Sequence, residues 1–257
     1  MRAAVLGSPI GHSLSPRLHQ AAYRELGLDW SYDAVDMVPA KLESWLDGLG
    51  PEWVGLSLTM PLKEAVLPLL TSSSPLVTAT GAANTVVLAK GERVGHNTDV
   101  VGILAALGEV GMTSCASAVV LGGGATARSA LAAVASLGCL TPTLVVRSDP
   151  EAALQAAARL GVTPVVSGWD PGVLGGADLV ISTVPAGAAD MFAPYMASVP
   201  MLLDVVYAPS PTELARACHG TVVPGTAMLL HQAAAQVTLM TGQPAPLVAM
   251  REALTRA

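Results

Sequence analysis

Apolar and polar positions in the first part of the chain follow two patterns in turn, one typical of strands and one typical of helices. Short β-branched runs such as AAVLG and VGLSL are followed by longer helical patterns such as SPRLHQAAYRELG and PLKEAVLPLL. This alternation is typical of βαβ units on a parallel sheet. The stretch TSSSPLVTATG reads as a break. The stretch NTVVLAKGERVGHN then predicts a hairpin that turns at Lys90 and Gly91, because apolar runs flank a glycine-bearing turn.

The alternation of strand and helix patterns restarts near residue 99. The stretches AVVLGGG, TLVVR, TPVVS, ADLVIST and MLLDVVY predict strands separated by alanine-rich helices, the pattern of a doubly wound nucleotide fold. From about Thr226 the pattern predicts two helices broken at TGQPAP. We therefore expect an α/β protein of two domains that meet along a cleft. The first spans residues 1–98 and is completed by about 226–257, and the second spans residues 99–225.

Composition narrows the classes of function. The chain has 257 residues, 52% of them hydrophobic, but no run of 18 apolar residues and no signal-type apolar segment, so we expect a soluble cytoplasmic protein. A net charge of −6 provides no basic surface for nucleic acid or anionic membrane. Cys115, Cys139 and Cys218 have neither CxxC spacing nor an even count. They indicate a reduced compartment and no metal cluster.

A glycine-rich loop stands between a predicted strand and a predicted helix. The stretch VVLGGGATARSA carries a GxGxxA pattern at Gly122, Gly124 and Ala127. Glycines there let backbone amides approach a pyrophosphate, which the helix N-terminus attracts. The loop therefore indicates dinucleotide binding, and the alternative is an ordinary glycine-rich turn.

The end of the next predicted strand bears on the choice of cofactor. In VVRSDP, Arg147 and Ser148 suit the 2′-phosphate of NADP. Asp149 lies close enough to serve the 2′-hydroxyl of NAD if the loop bends differently. A third possibility is that these are solvated turn residues.

Lys63 is a candidate for proton transfer. In VGLSLTMPLKEAVLPLL, Pro61 falls where a first helical turn would begin, with Thr59 as its cap and Lys63 within that turn. A lysine at the positive end of a helix is electrostatically unfavourable, which suggests a chemical role. The alternative is a surface lysine at the start of an amphipathic helix.

Asp99, unlike Lys63, carries a charge that is favourable at the start of a helix. In NTDVVGILAAL, Asn97 or Thr98 would cap a helix whose first turn contains Asp99, where the helix dipole stabilises a carboxylate. Taken alone, this is an ordinary helix start. If Lys63 and Asp99 converge on one cleft, they form a charge pair around a substrate hydroxyl.

The first predicted strand is followed by GSPIGHSLSPRLH, which places Ser13 and Ser15 before a helix beginning at Pro16. Their hydroxyls would hold a carboxylate or a polyol, cap the helix, or do both. His12 in the same stretch is more typical of a polar packing neighbour than of an acting group.

Taken together, these stretches resemble the shikimate dehydrogenases, which reduce 3-dehydroshikimate with NADPH in aromatic amino-acid biosynthesis. The resemblance covers nearly the whole chain. It rests on eight motifs in register: GSPIGHSLSPRLH, GLSLTMPLK, GAANT, GHNTDVVG, GGGATAR, STVPAG, DVVYAPSPTEL and GTAMLLHQA. It implies an oxidoreductase of the shikimate and chorismate pathway with two domains, one of them Rossmann-like. We expect a monomer or homodimer.

The resemblance also implies roles for individual residues. Lys63 corresponds to the proton-transferring group and Asp99 to its charge partner, which also touches a substrate hydroxyl. The other implied substrate ligands are Ser13, Ser15 and Tyr207 for the carboxylate, and Thr59, Asn84 and Gln232 for the ring hydroxyls. The implied NADP ligands are Gly122, Gly123, Gly124, Ala125, Thr126, Arg147, Ser148, Thr183, Val205, Gly225 and Met228. No metal ligand is implied.

Two details qualify the resemblance. Ser57 stands where the family usually has asparagine, and Val146 stands where its adenosine loop usually has asparagine. With Asp149, the second departure leaves a quinate/shikimate dehydrogenase using NAD as the alternative. A metabolite-binding protein without turnover is a further alternative.

Met228 and Gln232 are four residues apart, so one helix face would present Met228 to the cofactor and Gln232 to the substrate.

Overall fold

The structure is a computed structural model that describes residues 1–255. Contacts divide the chain into two units, Met1–Gly102 together with the chain from Leu229 onward, and Ile103–Met228. The boundaries expected from the sequence, after residue 98 and at about 226, lie within four residues of this division. The last two residues of the expected 226–257 segment lie outside the described part.

The secondary structure alternates between strands and helices along the chain. The strands are β1 (Arg2–Gly7), β2 (Ser31–Asp36), β3 (Trp53–Leu58), β4 (Ser72–Ser73), β5 (Thr85–Ala89), β6 (Glu92–His96), β7 (Ala118–Leu121), β8 (Thr143–Val145), β9 (Val165–Ser167), β10 (Leu179–Ser182), β11 (Met201–Asp204) and β12 (Thr221–Pro224). The helices are α1 (Ser15–Glu25), α2 (Pro39–Asp47), α3 (Leu62–Ala65), α4 (Pro75–Thr80), α5 (Asp99–Glu109), α6 (Ala125–Ser136), α7 (Glu151–Arg159), α8 (Glu213–Ala217), α9 (Gly225–Thr241) and α10 (Leu247–Thr255). Three 3₁₀ segments lie at Leu67–Leu69, Pro171–Leu174 and Asp190–Ser198.

The sheet of the first unit has the order β2-β1-β3-β5-β6-β4. β1 pairs in parallel with β2 and β3, whereas β5 is antiparallel to both β3 and β6. The parallel pairing expected for the first three strands is therefore confirmed, and the hairpin adds antiparallel pairs, which makes the sheet mixed. The hairpin itself is confirmed. Lys90 and Gly91 have φ of 52° and 82°, the positive values that a type I′ turn requires.

Two local expectations in the first unit need correction. The stretch read as a break, TSSSPLVTATG, contains β4 and α4, with Pro75 in the first helical turn. The helix expected over PLKEAVLPLL is only the single turn α3, followed by the 3₁₀ segment. Pro68 provides no N–H group, so regular α-helical bonding stops there. Thr59 does not cap α3 with its side chain. Instead its carbonyl accepts the N–H of Leu62 at 2.8 Å.

The second unit holds a parallel sheet of order β12-β11-β10-β7-β8-β9. Counted from β7, this is the 3-2-1-4-5-6 order of the doubly wound dinucleotide fold, so the expected fold is confirmed. β12 was not expected from the sequence, because TVVP is short and ends in proline. Within residues 1–255, no helix is both long and apolar enough to cross a bilayer.

The core of the first unit contains a fully buried histidine ring. His19 on α1 stacks on Tyr32 with ring centroids 3.9 Å apart and an interplanar angle of 15°. Its Nε2 lies 3.2 Å from Oε1 of Gln236, which accepts from an Nε2–H tautomer. Burial lowers the pKa of His19 to about 3, against the opposing effect of this hydrogen bond.

His19 should make stability depend on pH. Below about pH 6.5 the unfolded chain binds a proton at His19 that the folded protein does not accept until about pH 3, so stability falls as the pH is lowered. Between pH 7 and pH 5 this should cost about 2 kcal/mol of unfolding free energy. The His19→Gln variant should lack that loss, as measured by denaturant unfolding at both pH values. The other histidines are common to both proteins and cancel in the comparison. Parallel pH profiles for the two proteins would contradict the assignment.

Candidate active site

A lysine and an aspartate form a close, largely buried pair in the first unit. Nζ of Lys63 lies 2.6 Å from Oδ2 of Asp99, and the two side chains are 14% and 7% exposed. Lys63 is carried by α3, directly after β3, and its carbonyl accepts the N–H of Ala83 at 2.8 Å. Because so little solvent reaches the pair, its attraction is screened less than that of a surface ion pair.

Asp99 is held by the start of α5 and by a neighbouring amide. Oδ1 of Asn97 accepts the backbone N–H of Asp99 at 3.1 Å, and Asp99 is the first residue of α5. The expected helix start is therefore confirmed, and the helix dipole favours this carboxylate. Nδ2 of Asn84 donates to Oδ1 of Asp99 at 2.8 Å. One carboxylate oxygen thus faces an ammonium group and the other an amide.

Asn84 joins this pair to α9. Its Nδ2 also lies 2.9 Å from Oγ1 of Thr98 and 3.3 Å from Oε1 of Gln232. Asn84 and Gln232 are buried, at 2% and 8% exposure. The structure therefore brings Lys63, Asp99, Asn84 and Gln232 into one contiguous polar group.

This group has the chemistry of a proton-transfer site. An ammonium group beside a carboxylate can give a proton to a developing oxyanion and recover it in the reverse direction. The carboxylate compensates its charge, and the two amides offer both donors and acceptors for hydroxyl groups.

Three further predicted residues lie beyond the ends of two neighbouring strands, at the same edge of the sheet. Ser13 and Ser15 follow β1, and Thr59 follows β3, its parallel neighbour. Oγ of Ser13 accepts the N–H of Ser15 at 3.3 Å, and Ser15 is the first residue of α1, one position before the expected start. Tyr207 belongs to the second unit, where burial raises the pKa of its phenol.

The glycine loop after β7 has the shape that a diphosphate requires. Gly122 has φ of 114°, and a Cβ there would lie 2.5 Å from Oγ1 of Thr183. A Cβ at Gly123 would lie 3.1 Å from Cγ1 of Val146, and nothing lies within 4 Å of one at Gly124. Gly124 precedes the twelve-residue helix α6, which continues through Ala125 and Thr126. The residues present therefore fit a dinucleotide whose phosphates approach bare backbone at a helix N-terminus.

The loop after β8 carries an exposed cation. Cζ of Arg147 lies 5.3 Å from the ring centroid of Trp169, a cation–π contact that leaves the guanidinium edge available to a phosphate. Ser148 beside it is also exposed. Oδ1 of Asp149 accepts the N–H of Glu151 at 2.9 Å, so that carboxylate serves the start of α7. This geometry favours NADP over NAD.

The remaining predicted cofactor residues lie after β10 and β11 and at the start of α9. Oγ1 of Thr183 donates to the carbonyl of Leu121 at 2.8 Å. A Cβ at Gly225 would lie 2.9 Å from the carbonyl oxygen of Asp204, so only glycine allows α9 to start against the segment that leads into Val205. Met228, one turn further along α9, is buried.

Sequence reasoning missed several buried polar residues. Thr85 and Gln236 are fully buried, and Asp204 is buried and accepts from Thr212 at 2.5 Å and from the N–H of Val206 at 3.2 Å. Burial raises the pKa of Asp204 despite those hydrogen bonds. Only Gln236 left a signal in the sequence: it follows Gln232 by four residues, on the same helix face.

Comparison with known families gives two matches. A family model described as the shikimate dehydrogenase substrate binding domain matches residues 5–86. A second, described as the shikimate 5′-dehydrogenase C-terminal domain, matches residues 225–255.

Whole-chain relatives agree with these matches. A shikimate dehydrogenase (NADP⁺) from Methanothermobacter thermautotrophicus is 35% identical over 268 residues, covering 98% of this chain and 95% of the relative. The crystal structure of Mycobacterium tuberculosis shikimate dehydrogenase has a TM-score of 0.92 and 42% identity, covering 100% and 99% of the two chains. A shikimate 5-dehydrogenase from Thermus thermophilus, in complex with NADP(H) and shikimate, has a TM-score of 0.82 and 33% identity, covering 100% and 99%.

The geometry of the glycine loop predicts unequal effects of adding a methyl group. In Gly122→Ala, the new Cβ combines an unfavourable positive φ with a contact to the Thr183 hydroxyl, which is itself bonded to Leu121. We expect a loss of about 1–3 kcal/mol of unfolding free energy. Gly124→Ala is the matched control and should stay within about 0.5 kcal/mol of wild type, because its Cβ meets open space. Equal stabilities of the two variants in denaturant unfolding would contradict this description of the loop.

Proposed function

The chain belongs to the shikimate dehydrogenase family, and from this we propose that it is an NADP-dependent oxidoreductase that reversibly reduces 3-dehydroshikimate to shikimate. That reaction is a step of chorismate and aromatic amino-acid biosynthesis. The observation that carries the proposal is the buried Lys63–Asp99 pair at 2.6 Å, joined to Asn84 and Gln232. It provides a proton donor and hydroxyl ligands in one place.

Lys63 and Asp99 act together on the reacting oxygen. NADPH supplies the hydride that reduces the carbonyl carbon of the substrate. Nζ of Lys63 donates a proton to the alkoxide oxygen that develops, and in the oxidation direction the neutral amine takes it back. Asp99 balances the charge of the ammonium group and accepts from a neighbouring ring hydroxyl.

The remaining polar residues bind and orient the substrate. Ser13 and Ser15 hold its carboxylate, since hydroxyl groups donate well to an anionic oxygen. The family resemblance implies Tyr207 as a further carboxylate ligand. Thr59, Asn84 and Gln232 contact ring hydroxyls. The first unit, Met1–Gly102 with the described chain from Leu229 onward, is the proposed substrate domain, and the second, Ile103–Met228, is the proposed dinucleotide domain.

The second unit holds NADP. Its diphosphate is bound through the backbone at the start of α6, by Gly122, Gly123, Gly124, Ala125 and Thr126. Arg147 and Ser148 bind the 2′-phosphate of the adenosine, and the nicotinamide side is lined by Thr183, Val205, Gly225 and Met228. We further propose a cytoplasmic location and a monomer or homodimer. The location rests on the cysteine pattern of the sequence, which is typical of a reduced compartment.

An initial-rate assay tests the activity directly. Shikimate or quinate is crossed with NADP or NAD, and nicotinamide absorbance is followed. We expect fast turnover with shikimate and NADP alone. A preference for quinate or NAD would favour a quinate/shikimate dehydrogenase, and no turnover in any combination would favour a binding protein.

Removing the lysine should abolish most of the turnover. In Lys63→Ala, the proton donor is lost, and we expect kcat to fall by roughly 10²- to 10⁴-fold. Lys41→Ala is the control, because Lys41 is an exposed lysine of the same unit on α2 and its loss should leave kcat unchanged. Thermal unfolding of both variants checks that the fold persists. A Lys63→Ala enzyme that turns over at the wild-type rate, with only a raised KM, would exclude the proposed role.

Removing the exposed arginine should change the choice of cofactor. In Arg147→Gln, a charge-assisted hydrogen bond to the 2′-phosphate is lost, and we expect KM for NADP to rise about ten- to hundredfold while KM for NAD stays nearly constant. Arg159→Gln, on the exposed side of α7 in the same unit, is the control. Equal changes in KM for NADP and NAD would show that Arg147 does not read the 2′-phosphate.

A further inference from the structure

A chain of buried hydrogen bonds leads from β2 to the Lys63–Asp99 pair. Its members outside the site described so far are Tyr32, Ser57, Gln236 and Thr85, all 4% exposed or less. They come from β2, β3, α9 and β5, so four separate elements of the first unit contribute to it.

The chain runs without interruption from the phenol to an amide. The hydroxyl of Tyr32 donates to Oγ of Ser57 at 2.6 Å, and Oγ of Ser57 donates to Oε1 of Gln236 at 2.7 Å. Nε2 of Gln236 then donates to Oγ1 of Thr85 at 3.0 Å, and Oγ1 of Thr85 donates to Oδ1 of Asn84 at 2.9 Å. From there Nδ2 of Asn84 reaches Asp99, as described above.

Two backbone groups fix the direction of these bonds. Nε2 of Gln236 also faces the carbonyl oxygen of Asn84 at 3.3 Å, and a carbonyl can only accept. Oδ1 of Asn84 faces the N–H of Thr98 at 2.8 Å, and an N–H can only donate. Between them, the single proton of the Thr85 hydroxyl points to Oδ1 of Asn84, because an amide oxygen can only accept whereas Nε2 of Gln236 can only donate.

We propose that Thr85 and Gln236 are positioning residues for the reaction. Gln236 orients the Thr85 hydroxyl, and that hydroxyl holds Oδ1 of Asn84 together with the backbone N–H of Thr98. Nδ2 of Asn84 is thereby kept directed at Asp99 and at the place where a ring hydroxyl binds. Gln236 is itself held by two donors at Oε1, Ser57 and the neutral ring of His19. Tyr32 lies beyond Ser57 and is not required, since the backbone carbonyl of Asn84 already sets the orientation of Gln236. The kinetic part of this inference rests on the proposed function, whereas the orientation of Asn84 does not.

The test compares variants that differ in one hydroxyl. Thr85→Val replaces the hydroxyl by a methyl group of similar size, Thr85→Ser keeps the hydroxyl, and Tyr32→Phe removes a hydroxyl at the far end of the chain. With shikimate and NADP, we expect kcat/KM to fall about three- to tenfold in Thr85→Val, the effect of one buried hydrogen bond. Thr85→Ser and Tyr32→Phe should stay within about twofold of wild type. Thr85→Ala supplies the same deletion if Thr85→Val does not fold.

A second readout does not depend on turnover. Nuclear magnetic resonance follows solvent exchange of the Asn84 side-chain amide protons, whose signals are identified by their absence in Asn84→Asp. We expect exchange to be faster in Thr85→Val and Thr85→Ala, because the amide is released more often, and unchanged in Thr85→Ser and Tyr32→Phe.

The outcomes separate the inference from the proposed function. A Thr85→Val enzyme with wild-type kcat/KM and wild-type Asn84 exchange, even if less stable, would overturn the positioning role. Failure of Thr85→Ser to restore either value would also overturn it. If the wild-type protein does not turn over shikimate, the proposed function fails, and the exchange measurement alone decides whether Thr85 holds Asn84.

Discussion

Lys63 and Asp99 impose the constraint on which the first unit is built. Both side chains are largely withdrawn from water, and removing an ion pair from water costs free energy unless the remaining polar atoms are also satisfied. The fold meets this requirement with the dipole of α5, the Asn97 side chain at its start and the amide of Asn84. The short helix α3 brings Lys63 to the same point directly after β3. The position of the pair therefore follows from where two secondary-structure elements begin.

The same requirement extends into the core behind the site. Asn84 satisfies Asp99 and must itself be satisfied, which brings in Thr98, Thr85 and Gln236. A polar group of this size is stabilising only when each member has its partners, because a buried donor or acceptor without one is costly. His19 contributes to the group as a neutral ring, and its burial is the reason that acid should weaken the fold. The geometry of the proposed site and the stability of the fold thus depend on the same hydrogen bonds.

Sequence reasoning located the parts that local chemistry determines. The hairpin at Lys90 and Gly91, the helix start at Asp99 and the strand–glycine–helix pattern at Gly122 each follow from residues close together in the chain. The pairing of the hairpin with β3 and the brevity of α3 did not follow, because they depend on contacts between distant strands and on Pro68 within an apolar run. The buried chain through Thr85 and Gln236 was also missed, since residues 151 positions apart are joined only by the fold. The ligand roles came from the resemblance to a family rather than from the pattern.

The central claim is that Lys63 and Asp99 act as a single unit in proton transfer. The most direct test is a double-mutant cycle on kcat/KM for shikimate, with Lys63→Ala, Asp99→Asn and the double variant. Groups that act as a unit give strongly non-additive losses. The double variant should therefore be no more than about threefold slower than the slower single variant. Losses that multiply would show that the two residues contribute independently and would contradict this account.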